Sequence, residues 1–185
     1  DAAGEELLNS MRYMMEVFTI DRISGKKTGG YYSIINSPGN MDIGFADMSI
    51  NDHMDRSWIL NHKRHLNLSS WIISDTNISK DALGALIEFT RIENKKLAII
   101  GVSGPKMKNI PDDLEGVEVL ICNMDESQAY FNTDIDNLID LCQLWLDKGI
   151  KKVVVTHGKE GCVYGENNML IHHKAKVIDE KDIVD

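Results

Sequence analysis

Two polar segments of the sequence carry residues suited to phosphate and cation chemistry, and each directly follows an apolar run. The first segment, Asn123-Met124-Asp125-Glu126, comes after residues 117–122. An amide and a carboxylate three residues apart can face one cavity, with the amide on a phosphate and the carboxylate on Mg²⁺ or its waters. Such side chains also cap helices that follow strands, so this segment alone leaves phosphate binding and helix capping open.

The second polar segment contains two glycines. Residues 152–155 are largely apolar and are followed by the polar residues 156–161. Gly158 and Gly161 would let backbone amides approach a phosphate closely, and the Thr156 hydroxyl adds a donor. The alternative is a glycine-containing turn into the next strand. The occurrence of two polar strand ends in neighbouring units favours a shared phosphate site over either alternative.

Apolar runs and helical patterns predict the elements that hold these segments. The predicted strands are residues 71–73, 97–100, 117–122 and 152–155. Helices are predicted over 79–92, capped by Ser79, and over 134–147, with Thr133 and Asp136 resembling a capping box. Short apolar strands that alternate with helices indicate an α/β fold with a parallel sheet covered on both faces. Right-handed connections place the carboxyl ends of the strands on one side, where such folds bind ligands.

The first 50 residues follow a different pattern. Residues 5–18 place leucine, methionine and phenylalanine on one stripe, which predicts an amphipathic helix packed on the core. Residues 31–36 and 41–45 are β-prone, and Pro38 and Gly39 between them fit the centre of a type II turn. The alternation at period two predicts a β-hairpin with one covered and one solvated face, at an edge of the protein or as a flap.

Composition excludes several classes of partner. The chain has 20 Lys and Arg against 29 Asp and Glu, a net charge of −9, and no basic stripe, so we expect no polymeric nucleic acid as a partner. No apolar run approaches the ~20 residues that span a bilayer, so we expect no membrane segment. Cys122, Cys142 and Cys162 cannot all pair, which predicts reduced thiols and a cytoplasmic location.

The signatures of rival nucleotide and metal sites are missing from the sequence. There is no GxxxxGK[ST] loop, and no GxGxxG follows a predicted strand, so a Walker-type ATPase and a dehydrogenase are both disfavoured. His62 and His65 lie three residues apart on a predicted helix with no third ligand nearby, so we expect no zinc site. The two polar strand ends remain as the candidate site.

In their order and spacing, these features resemble the ribokinase-like, or PfkB, carbohydrate kinase family, over nearly the whole chain. The matching segments are the helix start at 1–8, the hairpin at 28–48, the strand ending in Asp75-Thr76-Asn77, residues 101–106, an NxxE motif at 123–126 and a VVTxGxxG motif at 154–161. The end of the hairpin, Ala46-Asp47-Met48, is similar to the pseudouridine-kinase-like branch of that family.

The resemblance implies an α/β, ribokinase-like three-layer sandwich with a mainly parallel sheet and a β-hairpin lid, incomplete in this chain. Residues 1–185 would be the central part of one domain, with the lid inserted at about 28–48. The family's amino-terminal strands and its carboxyl-terminal GAGD segment, which carries the catalytic aspartate, would lie outside the chain. We therefore expect cut ends and no catalytic residue within it.

The resemblance also implies which residues bind ligands. ATP and Mg²⁺ are the implied cofactors, with Glu126 as the metal ligand, and a requirement for a monovalent cation stays open. The implied nucleotide-binding residues are Asn123, Thr156, Gly158 and Gly161. The implied contacts to a small-molecule sugar or nucleoside are Tyr31, Ser33 and Asn77. Two copies of the chain would pair as a homodimer through the lid.

The function that the resemblance implies is transfer of the γ-phosphate of ATP to a hydroxyl of a sugar or nucleoside by the full-length protein, with pseudouridine favoured. We expect the 185-residue chain alone to be inactive, because its general base lies elsewhere. The alternative is a degenerate member of the family that binds a sugar or nucleoside without catalysis, as a sensor or interaction module.

Overall fold

The structure is a computed structural model that describes residues 1–37, 41–167 and 169–176. The chain divides into two compact units, of which the first covers residues 1–53 and the second begins at Met54. Each unit is described by itself, and the expected single domain over 1–185 stays a prediction. No helix among the described residues is long and apolar enough to cross a membrane.

The first unit opens with helix α1, Ala2–Met11, which begins at an aspartate cap. The carboxylate of Asp1 accepts a hydrogen bond from the backbone N–H of Gly4 at 2.9 Å. It also accepts from the backbone N–H and the hydroxyl of Thr28, both at 2.8 Å. One carboxylate thus caps the helix and ties it to the residues that lead into the hairpin.

Helix α1 is shorter and less buried than the sequence predicts. It ends at Met11 rather than continuing to residue 18, and Leu8 is its one buried residue. Met14 and Phe18, predicted core residues, are exposed. The prediction of a packed amphipathic helix over 5–18 is therefore wrong, because a helix gains most of its stability from packing and an exposed residue such as Met14 buries little apolar area.

Strands β1, Gly30–Ile35, and β2, Met41–Asp47, form the predicted antiparallel hairpin, and the 3₁₀ helix Ser49–His53 follows it. The predicted type II turn lies outside the described residues. Tyr32 pairs with Phe45, and the two are 69% and 55% exposed. Since large apolar side chains on both faces are exposed, the prediction of one covered face is wrong for the hairpin of the described residues.

The second unit is built on one six-stranded sheet in the order β3-β4-β5-β6-β7-β8. Its strands are β3 Trp71–Asp75, β4 Lys96–Ile100, β5 Val119–Asn123, β6 Lys152–Thr156, β7 Cys162–Glu166 and β8 Met169–His173. Strands β3 to β6 run parallel, whereas β7 and β8 are antiparallel to their neighbours. The mainly parallel α/β sheet predicted from the sequence is confirmed.

Five helices belong to the second unit. They are α2 Arg56–Asn61, α3 Lys63–Asn67, α4 Lys80–Ile92, α5 Met124–Phe131 and α6 Leu138–Asp147, with short 3₁₀ helices at Gly104–Asn109 and Gly158–Glu160. The predicted cap of α4 is confirmed, since the Ser79 hydroxyl accepts from the backbone N–H of Ala82 at 3.1 Å.

The cap of α6 differs from the prediction. Asn137 begins the helix and accepts the backbone N–H of Ile139 at 2.8 Å, so the predicted capping box of Thr133 and Asp136 is wrong. The preceding residues are held out of the helix by the side-chain amide of Gln128, which donates to the carbonyl of Ile135 at 2.8 Å.

The two faces of the sheet differ in what covers them. Alternate residues such as Ile72, Leu97 and Leu120 are buried in a core formed with α4, α5 and α6. The opposite face carries a row of paired apolar residues, Ile100, Ile121, Val154, Tyr164 and Ile171. Members of this face are partly or fully exposed, and Ile73 is 70% exposed. Within the described residues, helices therefore cover one face, and the prediction of a sheet covered on both faces is wrong for this part of the chain.

A network of ion pairs lies at the rim where strands β5 and β6 begin. The carboxylate of Glu118 lies 3.0 Å from the amine of Lys151 and 3.3 Å from that of Lys152. Lys152 also lies 3.6 Å from Glu166, which accepts a hydrogen bond from the hydroxyl of Tyr164. The bond from Lys151 holds the pKa of Glu118 below its ordinary value, and Glu118 raises the pKa of Lys152.

Candidate functional site

The two polar segments predicted from the sequence lie side by side. Strands β5 and β6 are parallel neighbours, and their last residues, Asn123 and Thr156, are paired in register. The segments 123–126 and 156–161 therefore start from the same rim of the sheet, which we call the carboxyl rim. Asn77 lies at this rim too, because it follows strand β3, which runs parallel to β4.

The segment 123–126 forms a reciprocal cap on helix α5. The side-chain oxygen of Asn123 accepts from the backbone N–H of Glu126 at 2.8 Å. In return, Oε2 of Glu126 accepts from the backbone N–H of Asn123 at 2.9 Å. The helix-capping interpretation is therefore correct. It uses one atom of each side chain, and in the described part of the chain no hydrogen bond involves Nδ2 of Asn123 or Oε1 of Glu126.

Glu126 is a buried carboxylate that no side-chain cation neutralises. The residue is 4% exposed. Among the described residues, no nitrogen of Lys, Arg or His lies within 4.0 Å of its oxygens. Its described stabilising partners are the backbone N–H of Asn123 and the positive end of helix α5. A cation brought by a ligand would be a further partner.

A buried hydroxyl supports this cap from behind. Ser127 is fully buried, accepts from the indole N–H of Trp145 at 3.0 Å and donates to the carbonyl of Asn123 at 3.0 Å. Cys122 lies 3.1 Å from the same hydroxyl, and burial raises the pKa of this thiol to about 12. Helix α6 therefore anchors the first turn of α5 through Trp145. Sequence reasoning missed Ser127, because nothing in its spacing distinguishes it from an exposed serine.

The segment 156–161 is a tight turn closed by its own backbone. The N–H of His157 donates to the carbonyl of Gly161 at 2.8 Å, and the N–H of Glu160 donates to His157 at 2.9 Å. Gly158 has a φ of +44°, and a side chain there would point into open space. Its backbone is thus both glycine-favouring and open to a ligand.

Position 161 requires glycine for a structural reason. Its φ is +93°, and a Cβ there would overlap the carbonyl oxygen of His173 at the end of β8. His172 braces the same turn, with its Nε2 at 2.9 Å from the carbonyl oxygen of Glu160. The requirement for glycine at 161 therefore comes from packing against β8, and the interpretation as a turn into the next strand is correct for this residue.

Asn77 is tied to a neighbouring carboxylate. Its backbone N–H and its side-chain amide each donate to one oxygen of Asp75, both at 2.9 Å. The buried Thr76 between them accepts from the N–H of Val102 at 3.2 Å, which joins the ends of β3 and β4. The partly buried Asp75 is a polar residue of the rim whose side chain sequence reasoning did not single out.

Tyr31 and Ser33 belong to β1 in the first unit, and both are exposed. The ring of Tyr31 lies across Gly44 of β2, where any side chain would collide with it. Their assignment as sugar contacts stays a prediction. The structure groups the other predicted site residues, Asn77, Asn123, Glu126, Thr156, Gly158 and Gly161, at the carboxyl rim.

The described residues contain no group of three His, Cys, Asp or Glu side chains that could hold a metal ion. A metal at the rim would therefore need oxygens from a ligand and water in addition to Glu126. Mg²⁺ is commonly bound in this way, by one or two carboxylates together with substrate phosphates.

A helix-capped polar rim on a mainly parallel sheet is the architecture of many phosphate-binding α/β proteins. The family model described as pfkB family carbohydrate kinase matches residues 1–185, and the chain belongs to this family. A curated relative is the pseudouridine kinase of Escherichia coli (strain K12), which is 22% identical over 147 residues. The match covers 78% of this chain and 46% of that protein.

Solved structures show the same fold. A carbohydrate kinase from Agrobacterium tumefaciens superposes with a TM-score of 0.77 at 23% identity, covering 92% of this chain and 54% of that one. A ribokinase from Thermotoga maritima gives a TM-score of 0.75 at 17% identity, covering 96% and 58%. The chain thus spans about half the length of the proteins it resembles.

Proposed function

We propose that the full-length protein containing this chain, hereafter the parent protein, transfers the γ-phosphoryl group of ATP to a hydroxyl of a sugar or nucleoside. The observation that carries the proposal is the carboxyl rim, where the segment with the buried carboxylate of Glu126 and the segment with the open glycine turn at Gly158 start from paired strand ends. Membership of the pfkB family supports the same reaction class. Pseudouridine is the favoured acceptor, since a curated relative is a pseudouridine kinase.

Glu126 is the proposed cation ligand, directly or through water. Its Oε2 is held by the backbone N–H of Asn123, and its Oε1 is the oxygen proposed to face the ion. A bound Mg²⁺ would neutralise charge on the phosphates, which is much of what phosphoryl transfer requires. The donor set fits the ion, because carboxylate oxygen is a hard ligand and no hydrogen bond of the described residues uses Oε1 of Glu126.

The nucleotide phosphates are proposed to lie between the two segments. The side-chain amide of Asn123 supplies a donor from one side, since its oxygen already serves the cap. The Thr156 hydroxyl and the exposed backbone at Gly158 supply donors from the other side. Gly161 contributes indirectly, by letting the turn pack against β8.

Asn77 is proposed to contact the acceptor. Tyr31 and Ser33 of the hairpin stay sugar contacts implied by the family resemblance alone. The Asp75 carboxylate holds the amide of Asn77 in one orientation, which presets its carbonyl oxygen as an acceptor for a hydroxyl. The general base that takes the hydroxyl proton is assigned outside residues 1–185. The 185-residue chain alone is therefore expected to show no kinase activity.

Three further predictions belong to the parent protein. A cytoplasmic location is predicted from the sequence alone. The family resemblance leaves open whether a monovalent cation is required. Pairing of two copies through the hairpin is supported by its exposed apolar residues, such as Tyr32 and Phe45. Sedimentation at micromolar concentration checks the pairing, and a monomer would contradict it.

The test of the function is an acceptor panel. The parent protein is incubated with ATP and Mg²⁺ and with pseudouridine, uridine, ribose and fructose, while ADP release and phosphorylated product are measured. We expect at least one acceptor to give product, with the highest kcat/KM for pseudouridine. Binding of an acceptor without any ADP release would instead identify a non-catalytic sensor, and neither binding nor turnover would refute the proposal.

A further inference from the structure

Gly101 lies directly after strand β4, at the carboxyl rim, and does not need to be glycine for backbone reasons. Its N–H donates to the carbonyl of Ile121 at 2.8 Å, which continues the β4–β5 pairing by one residue. Its φ is not positive, in contrast to Gly158 and Gly161. Any L-residue could adopt this backbone conformation.

The space beside Gly101 is filled by the carboxylate of Glu126. A Cβ at position 101 would overlap Oε2 of Glu126 and would lie 2.9 Å from its Cδ. It would also lie 3.2 Å from the Cβ of Cys122, which is buried in the core and leaves little room on that side. The carboxylate of Glu126 therefore occupies the space that a side chain at position 101 would fill.

A side chain at 101 would displace Glu126 and not the backbone. The atom it meets first is the end of a flexible side chain, which can rotate away at small cost to folding. Rotation would break the bond from the Asn123 N–H to Oε2, now 2.9 Å long, and would move the other oxygen with it. A change at 101 should thus alter the position of the carboxylate while the fold remains.

We propose that Gly101 is a positioning residue for Glu126, and that it sets how tightly the rim holds a divalent cation. This inference rests on the proposed function, in which Glu126 is the cation ligand. Groups that orient a metal ligand from behind typically change metal affinity by about 10–100-fold when altered. Gly101 makes no hydrogen bond to the carboxylate and instead leaves space for it. Its effect should also be on the affinity for the metal ion.

The experiment compares Gly101→Ala with a matched glycine substitution in the parent protein. Gly84 lies within helix α4, and a Cβ there would meet only Pro111 Cγ, at 3.8 Å. We expect Gly101→Ala to raise the Mg²⁺ concentration for half-maximal activity by about tenfold. The melting temperature should fall by about 2–4 °C, because the cap bond from Asn123 is lost. Gly84→Ala should leave the Mg²⁺ dependence unchanged. A Gly101→Ala protein that fails to fold, or one with unaltered Mg²⁺ dependence, would overturn the inference.

A double-mutant cycle separates this inference from the function on which it rests. In a Glu126→Ala background the carboxylate is absent, so adding Gly101→Ala should change the Mg²⁺ dependence less than about twofold. Equal losses in both backgrounds would show that Gly101 acts independently of Glu126 and would refute the inference alone. If Glu126→Ala itself leaves the Mg²⁺ dependence unchanged, the proposed role of Glu126 fails instead.

Discussion

Two glutamates at the two ends of strand β5 are both buried, but their partners differ. Glu118, just before the strand, is 8% exposed and lies within 3.3 Å of two lysine amines. Glu126, just after the strand, is 4% exposed and has a backbone N–H as its partner, with no cation among the described residues. Lysine side chains thus neutralise the first carboxylate, whereas the second is the one proposed to bind a cation.

The contrast separates a structural use of charge from a functional one. At the rim where β5 begins, Lys151, Lys152 and Glu166 complete the compensation of Glu118 within the fold. At the carboxyl rim, Glu126 has the backbone N–H of Asn123 as its partner and no lysine, arginine or histidine partner among the described residues, which supports its proposed role as a cation ligand. We therefore expect substitutions at the two ends to affect different measurements.

The largest expected effect follows Glu126→Gln. The substitution keeps the size of the side chain and its bond from the Asn123 N–H but removes the charge. Activity of the parent protein at saturating ATP should fall by about 100-fold or more, because the cation loses its protein ligand. The free energy of unfolding, measured in urea, should stay the same or rise slightly. Glu93→Gln, on the exposed end of helix α4, is the control and should behave as wild type.

The next effect in size tests the support behind the carboxyl rim. Ser127→Ala leaves the indole N–H of the fully buried Trp145 without its acceptor, now at 3.0 Å. An unsatisfied buried donor costs about 1–3 kcal/mol, so the free energy of unfolding in urea should fall by about 2 kcal/mol. A cysteine at 127 retains a weak acceptor and should recover part of the loss. Unchanged stability in Ser127→Ala would contradict the support role.

At the opposite end of β5, Glu118→Gln should reduce stability and leave activity intact. The loss in the free energy of unfolding should be about 1 kcal/mol, since the lysine partners are partly solvated. Urea unfolding measures the stability, and the acceptor assay measures the activity. A drop in kcat without a drop in stability would contradict the structural role assigned to Glu118.

The pH dependence sharpens the same comparison. Lys151 lowers the pKa of Glu118 in the folded protein, so its stabilisation is fully present above its ordinary pKa of 4.5 and is lost as pH falls through the folded value. The stability gap between wild type and Glu118→Gln should therefore be constant at neutral pH and should shrink below pH 4.5. A gap that is undiminished at pH 3 would mean that the ionised carboxylate is not its source.

The smallest expected effect follows Tyr164→Phe. The Tyr164 hydroxyl donates to Glu166, a contact that raises the pKa of the tyrosine. Both groups are partly exposed, so losing the bond should reduce the free energy of unfolding only slightly. Spectroscopic titration of the tyrosines should show one high-pKa group fewer in the variant.

The sheet and the rim could be predicted from the sequence because buried parallel strands leave an unambiguous pattern. Apolar runs located β3 to β6, and polar residues after two of them located the segments at 123 and 156. The capping of α4 by Ser79 could also be predicted, because it depends on residues close in sequence. Such features depend on neighbours in sequence, which is why spacing alone captures them.

The features that could not be predicted depend on contacts distant in sequence. The stripe after Met11 looked like a core helix, but whether such a stripe is buried depends on what packs against it. The close approach of Gly161 to the end of β8 could not be predicted either, because the two lie on different strands, and the role of Gly161 at the nucleotide stays a prediction. The contact between the Glu126 carboxylate and Gly101 brings together residues that follow two different strands, and no spacing in the sequence predicts it.

The most direct test of the central claim is to locate the cation. Crystals of the parent protein with Mn²⁺ and a non-hydrolysable ATP analogue would reveal the ion by anomalous scattering. We predict a peak at the carboxyl rim, bonded to Glu126 at about 2.1 Å or joined to it through one water. A nucleotide bound with its Mn²⁺ away from Glu126, while that carboxylate still only caps Asn123, would contradict the account.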